Sequence, residues 1–294
     1  MKKRVLISFA LNGPIFYNLV VMNEQNLTDL LSSGKELVLY ADIGNSTIDF
    51  LLTDFDSFAT KKIPTRHKSE IVSYLETLAG LSDVYVSSVN SIGLEALKHG
   101  LDKVFPNAKL HLLTPQVMGE YALRAGIKVD NIDILGSDLF CDIVSESNNS
   151  GEIIIDLGTA SKILYLDKSS YFHGCQIFPG LASFPETLHA KTDLLKNAPI
   201  IENPPLISLK TEECISSGVI NGVSALISKM VETIEREYDN DDAKVILTGG
   251  NAYLIKDALN KFTNKEIIYD PYHIIKGMMK ISGHDYSILK IEKR

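Results

Sequence analysis

The chain has little cysteine. It holds three in 294 residues, Cys141, Cys175 and Cys214, with no C-x-x-C pair among them. That excludes a disulfide framework and a thiolate zinc site, and the plain reading is reduced thiols in a cytoplasmic protein. Basic charge is short as well: 29 Lys and Arg stand against 37 Asp and Glu, giving a formal charge of −8. A general surface for nucleic acid or an anionic membrane is therefore not expected, while a local basic pocket for phosphate remains open. The seven histidines show no metal-ligand spacing. Also missing are G-x-x-x-x-G-K-[ST], a G-x-G-x-x-G after a strand, H-E-x-x-H and any His-Asp-Ser motif. Phosphate chemistry in this chain must be built without a P-loop.

A long apolar run is missing too. The opening "MKKRVLISFALNGPIFYNLVVM" has a basic start and apolar residues, but Asn12, Gly13, Pro14 and Asn18 interrupt it. No small-x-small cleavage site precedes the polar "NEQNLTD", and the run is too broken to span a membrane. Three readings stay open for residues 1–35: a signal or anchor, an extension outside the core fold, or a start codon placed too early, with Met22 the alternative.

What is present is a soluble globular composition, 45% hydrophobic and 22% charged, in a chain long enough for two domains. From Glu36 short apolar strands alternate with helical stretches, an α/β pattern. Three strands ("ELVLYADIG", "TIDFLLTD", "FATKKIP") lead into alternating helices and strands that end at the helical "SDLFCDIVSES". "SNNSG", Ser147 to Gly151, is the best linker. The pattern then restarts with "GEIIIDLG", "SKILYLDK" and "YFHGCQIFPG", followed by helices and the strands "AKVILTGG" and "KEIIYDP". Residues 36–150 and 151–294 thus read as two halves made by internal duplication.

Each half opens on a strand–Asp–x–Gly–polar–polar–strand unit: "YADIGNSTIDFLL" around Asp42 and "IIDLGTASKILYL" around Asp156. Gly44 and Asn45 allow backbone N–H groups to come close to a ligand, and Ser46, Thr47, Thr159 and Ser161 supply hydroxyl donors. Such a loop can cradle phosphate oxygens. The aspartate at the strand end then serves to hold Mg²⁺, a monovalent cation or a bridging water. A single D-x-G is more often a plain hairpin, but two in equivalent places suggest a clamp. A third signal is "VILTGG", where Gly249 and Gly250 end a strand and let a flat ring pack on the backbone, although a tight turn explains them as well.

At these residues the chain resembles the actin, sugar-kinase and heat-shock-chaperone ATPase superfamily. Within it the chain is similar to type III pantothenate kinases, over about Leu37 to Lys280. Their first phosphate motif, D-x-G-N-T, is matched by Asp42-Ile43-Gly44-Asn45-Ser46, and D-x-G-T-A by Asp156-Leu157-Gly158-Thr159-Ala160. G-G-x-I-x-P-G-L becomes "GCQIFPGL", with Cys175 for the second glycine; a helix pattern is matched at Thr211, Ser217, Gly218 and Gly222; "SSVNS" lacks the family's proline.

The resemblance implies two ribonuclease-H-like domains with a nucleotide cleft between them. It implies transfer of the ATP γ-phosphate to pantothenate, the first step of coenzyme A synthesis. It also implies Mg²⁺, a monovalent cation (K⁺ or NH₄⁺) near Asp156, and a homodimer in which Thr211 reaches the neighbouring subunit's substrate. The substrate motif G-x-D-R reads Gly136-Ser137-Asp138-Leu139. Asp138 would be the general base, a role that suits a carboxylate at a helix start beside a cleft, although a helix dipole favours an aspartate there in any case. Leu139 replaces the arginine and offers neither charge nor donor, a change that at a charged contact costs about 2–5 kcal/mol. A non-catalytic binding or regulatory relative, and a kinase for another small hydroxylated substrate, are the alternatives.

Overall fold

The computed structural model describes residues 24–145 and 150–289. Residues 1–23, on which the leader and start-codon readings fall, lie outside the described residues, as do 147–149 of the expected linker. In chain order the elements of the first half are α1 (Glu24–Ser32), β1 (Leu37–Ile43), β2 (Thr47–Thr53), β3 (Phe58–Pro64), α2 (Lys68–Glu76), β4 (Leu81–Ser88), α3 (Ser91–Val104), β5 (Lys109–Leu112), α4 (Pro115–Ala125) and α5 (Ser137–Ser145). Then follow β6 (Glu152–Leu157), β7 (Ala160–Leu166), β8 (Phe172–Pro179), α6 (Ser183–Lys191), α7 (Thr211–Glu237), β9 (Lys244–Thr248), α8 (Ala252–Leu259), β10 (Ile267–Tyr269) and α9 (His273–Ile281).

The strands form two five-stranded sheets, β3-β2-β1-β4-β5 and β10-β9-β6-β7-β8. In each, the first three strands run antiparallel and the last two lie parallel to the first. The second sheet repeats the first, element for element. Helices cover both faces of each sheet, so central strands read as continuous apolar runs rather than as alternating ones. Period two still decides which core each side chain joins. Leu37, Leu39, Ala41 and Ile43 enter a core with α2 and α3, whereas Val38 and Tyr40 enter the core between the sheets. Ile154 and Ile246 join that same middle core, and Ile153, Ile155, Val245 and Leu247 join a third one beneath α7 and α8.

The middle core is also where α5 and α9 meet. A Cβ on Gly277 would stand 2.1 Å from the Cys141 carbonyl oxygen, so the two helices touch backbone to backbone there. Behind that contact lies a buried polar group. His273 Nε2 lies 3.0 Å from the Asp142 carbonyl and Nδ1 3.1 Å from Ser145 Oγ, while the Lys276 ammonium pairs with Asp270 at 2.7 Å. Helix α9 was not separately legible in the sequence, yet it fixes α5.

Two further departures have simple causes. Helix α1 belongs to the fold: Leu30 is buried in the first core with Leu27 and Leu31 against it, and Asn26 Nδ2 donates to the Phe58 carbonyl. Of the readings open for residues 1–35, an extension outside the core fold does not hold for 24–32, where "NLTDLL" is polar on one side only. Helix α7 is long and apolar enough, by length and composition, to cross a membrane. Val219, Val223, Ile227 and Val231 are nevertheless buried in the third core, and a core helix meets the same test.

Candidate active site

The alternation that builds the cores also aims the site. Tyr40 faces the other sheet, so Asp42, two residues on, faces it as well; Ile154 does, and so does Asp156. Both aspartates therefore enter one cleft from opposite sides. Each ends a strand whose hairpin extends toward its counterpart. In the first, the Gly44 amide donates to the Thr47 carbonyl at 2.9 Å, and Thr65 holds the loop from below through its hydroxyl to the Gly44 carbonyl and its amide to the Ser46 carbonyl. Asn45 is tied weakly to Asn90, which caps α3 by accepting from the Gly93 amide at 2.8 Å. The tips meet: the Thr159 hydroxyl donates to Ser46 Oγ at 2.8 Å.

The second hairpin is braced by glycine on two sides. A Cβ on Gly180 would lie 2.4 Å from the Thr159 carbonyl, which explains the glycine in "GCQIFPGL". Gly249, at φ +93, packs so close that a Cβ would lie 2.4 Å from Asp156 Oδ1. Gly250 faces the other way, with a Cβ position 3.0 Å from Lys62 Nζ. The Gly-Gly turn thus forms a bare backbone wall between Asp156 and Lys62, and Asn251 Nδ2 fastens it to the Gly158 carbonyl.

Helix α5 brings Asp138 to the same place. A Cβ on Gly136 would press on Asp138 Oδ1 at 2.5 Å, so glycine leaves the carboxylate room. Lys162 Nζ lies 2.8 Å from Asp138 Oδ2 and 2.7 Å from Asp156 Oδ2. One ammonium therefore joins a carboxylate of each half. One turn along α5, Asp142 is fully buried, and among the described residues neither of its carboxylate oxygens has a hydrogen-bond partner. Burial first, then Asp156, pushes its carboxyl well above the usual range. Asp42 keeps a partial opening to the cleft. Burial first, then Asp49 and Asp138, raises its pKa to about 8, against the pull of the Ser87 hydroxyl.

That shift gives a pH-dependent stability. Asp42 takes up a proton near 3.8 when unfolded and near 8 when folded. Its stabilising contribution is full below 3.8 and is lost as pH rises to about 8. Relative to Asp42→Asn, the native protein is expected to lose up to about 1.4 kcal/mol per pH unit across that window. Urea melts of both at pH 5 and pH 8 check this; parallel behaviour would place the Asp42 carboxyl in water.

Several residues chosen from the sequence land elsewhere. The Ser161 hydroxyl was expected at the phosphate loop, but the residue is fully buried and lies on the opposite face of β7 from Lys162. Ser137 is turned away from the cleft: its hydroxyl lies 3.0 Å from Ser87 Oγ and accepts from the Ser88 amide at 2.9 Å. It fastens α5 to β4. Leu139 packs partly buried on the middle core. Thr211 stands exposed at the first turn of α7, and among the described residues its side chain makes no hydrogen bond to the hairpins or α5.

Lys162, Lys62, Asp49 and Asp142 escaped the sequence reading. The Lys62–Asp49 pair, 2.9 Å apart, spans neighbouring strands on the cleft face. The signal for Lys162 was available: a hairpin turning at Thr159 pairs Asp156 with Lys162.

Two like sheets, two facing Asp-Gly hairpins and a carboxylate between them define the class, a duplicated two-lobed α/β protein whose cleft is built for phosphate chemistry. A profile of the type III pantothenate kinase family matches residues 38–233, two thirds of the chain, and the chain belongs to that family. The type III pantothenate kinase of Sulfurihydrogenibium sp. is 28% identical over 251 residues, covering 82% of this chain and 98% of that one. That of Acholeplasma laidlawii is 29% identical over 254 residues, covering 83% and 98%. A solved structure, a conserved putative Baf family transcriptional activator from Campylobacter jejuni, shares the fold with a TM-score of 0.52 at 23% identity, over 83% of this chain and 97% of that one.

Proposed function

We propose that this chain transfers the γ-phosphate of ATP to the hydroxyl of pantothenate, yielding 4′-phosphopantothenate and ADP in the first step of coenzyme A synthesis. The observation that carries the reading is the bridge at Lys162, which joins Asp138 on α5 to Asp156 below the second hairpin. It brings an acceptor-side carboxylate and a phosphate-side carboxylate to one ammonium. The Ser46 and Thr159 hydroxyls, which meet at the hairpin tips, would take the phosphate chain, and the Gly249–Gly250 turn would pack against the adenosine. The acceptor oxygen attacks the γ-phosphorus, the bond to the β,γ-bridging oxygen breaks, and the proton passes to the Asp138 carboxylate.

Mg²⁺ fits Asp42. Among the described residues no group of three acidic or His/Cys side chains forms a metal site by itself. A carboxylate crowded by other carboxylates and open to the cleft suits a cation whose remaining ligands are phosphate oxygens and water. Bound there, Mg²⁺ would neutralise charge on the phosphates.

Leu139 favours a second reading, another small hydroxylated acceptor, because it contributes no charge for the pantothenate carboxylate. A panel of such acceptors at saturating ATP and Mg²⁺, read by ADP release, separates the two. Pantothenate should give the highest kcat/KM. Turnover with another acceptor and none with pantothenate would sink the first reading; thermal stabilisation by pantothenate without turnover would mark a binding module.

The reading also places the protein in the cytoplasm, with its substrates, and pairs two copies. Supporting the pair, Leu194, Ile207 and Leu209 are exposed on the segment leading to Thr211, and Gly218 and Gly222 leave the outer face of α7 smooth. Light scattering of the purified chain decides it; a monomer at micromolar concentration would reject the pair.

A further inference from the structure

We infer that the Lys162 side chain takes the place of the monovalent cation expected beside Asp156, so that catalysis in this protein needs neither potassium nor ammonium. The inference rests on the kinase reading above. It comes from a misfit between the expected ion and the residues present.

The Lys162 ammonium already occupies the Asp156 oxygen that faces the cleft-side lysine. Asp156 Oδ2 lies 2.7 Å from the Lys162 ammonium, and its Oδ1 is packed against Gly249, whose Cβ position is 2.4 Å away. The residue is 3% exposed, so the ammonium pairs with a carboxylate largely withdrawn from water. Nor is the lysine a passing visitor. It sits directly opposite Asp156 in the β6–β7 register, on the cleft face, with its side chain largely buried. Its second carboxylate, Asp138, comes from the other half of the chain at 2.8 Å.

The charges agree with the geometry. A lysine ammonium and an ammonium ion carry the same charge on the same donor. Burial alone would lower the lysine pKa, but Asp156, Asp138 and Asp142 raise it well above the ordinary value. The charge is permanent. A second monovalent cation beside it would be repelled by that ammonium. The lysine ammonium offsets one of the two carboxylate charges of Asp138 and Asp156.

A covalently held cation differs from a free one in a useful respect. It fixes the distance between the two halves' carboxylates through β7, and so holds Asp138 in position without depending on ion concentration. Lys162 acts here as a positioning residue.

The test compares native protein with Lys162→Ala in buffers whose only monovalent cation is choline, potassium or ammonium, reading ADP release and melting temperature. Native protein should show equal rates and equal melting temperatures in all three. Lys162→Ala should lose at least about tenfold in rate in choline and recover a substantial part with ammonium or methylammonium. Its melting temperature should rise with those cations whether or not it turns over, a readout that survives failure of the kinase reading. A native rate that falls about tenfold without potassium would overturn the inference. So would selective stabilisation of the native protein by potassium, or a folded Lys162→Ala that responds to no cation. Should Lys162→Ala fail to fold, the native protein's melting temperatures in choline and potassium decide alone.

Discussion

Asp138→Asn should lower kcat by about 10²–10⁴-fold while the protein stays folded. The amide keeps the size and the hydrogen-bonding shape of the carboxylate but cannot take the acceptor's proton. The stability cost should be small for a structural reason: Lys162 retains Asp156 at 2.7 Å, so removing Asp138 does not leave a buried ammonium unpaired. KM for ATP should change little, since Ser46, Thr159 and the Gly249–Gly250 wall are untouched. Phosphoryl transfer asks mostly for positioning and charge neutralisation, which sets the smaller end of the range. Steady-state kinetics with a melting curve on the same sample measure it. A kcat within about twofold of native would remove Asp138 from proton transfer and leave it only as a partner for Lys162.

The contrast between Asp138 and Lys162 marks where the sequence stops being legible. Strand positions, the duplicated hairpins and the Gly-Gly turn all follow from short-range pattern, and the structure has each where that pattern puts it. Asp138 was legible because it sits in a local motif at a helix start. Lys162 looks like an ordinary strand lysine until β6 and β7 are placed in register. Even then its second partner, Asp138, lies across the cleft. Ser161 was misplaced for the same reason. Hydroxyl content suggested a loop donor, whereas period two turns it away from the cleft once Lys162 is known to face it. Asp142 is more distant still, because nothing in "SDLFCDIVS" says that another helix packs over α5 and buries it. That information resides in α9, more than a hundred residues later.

The same long-range packing makes Gly277 a sensitive position outside the cleft. Gly277→Val should lower the melting temperature and reduce activity at temperatures where the variant is still folded. The Cβ would lie 2.1 Å from the Cys141 carbonyl oxygen, 2.7 Å from its carbon and 2.8 Å from its Cα. All three are backbone atoms of α5, so no side chain can swing aside, and the helices must part. Overpacking of this kind costs about 1–3 kcal/mol and sometimes more. At about 2–4 °C per kcal/mol for a chain near this size, the upper half of that range gives a drop of about 4–12 °C. Parting also pulls on the bonds from His273 to the Asp142 carbonyl and from Lys280 to the Val144 carbonyl, both of which hold α5. Asp138 stands at the other end of that short helix, and a displacement of about 1 Å at a reacting group can cost about 10²-fold in rate. Gly119→Ala is the control. It lies mid-helix in α4, where its Cβ would meet Ile132 at 3.9 Å, an ordinary contact, and alanine should leave stability equal or higher by up to about 1 kcal/mol. If Gly277→Val melted and turned over like native protein, the backbone contact between α5 and α9 could not be what sets the position of Asp138.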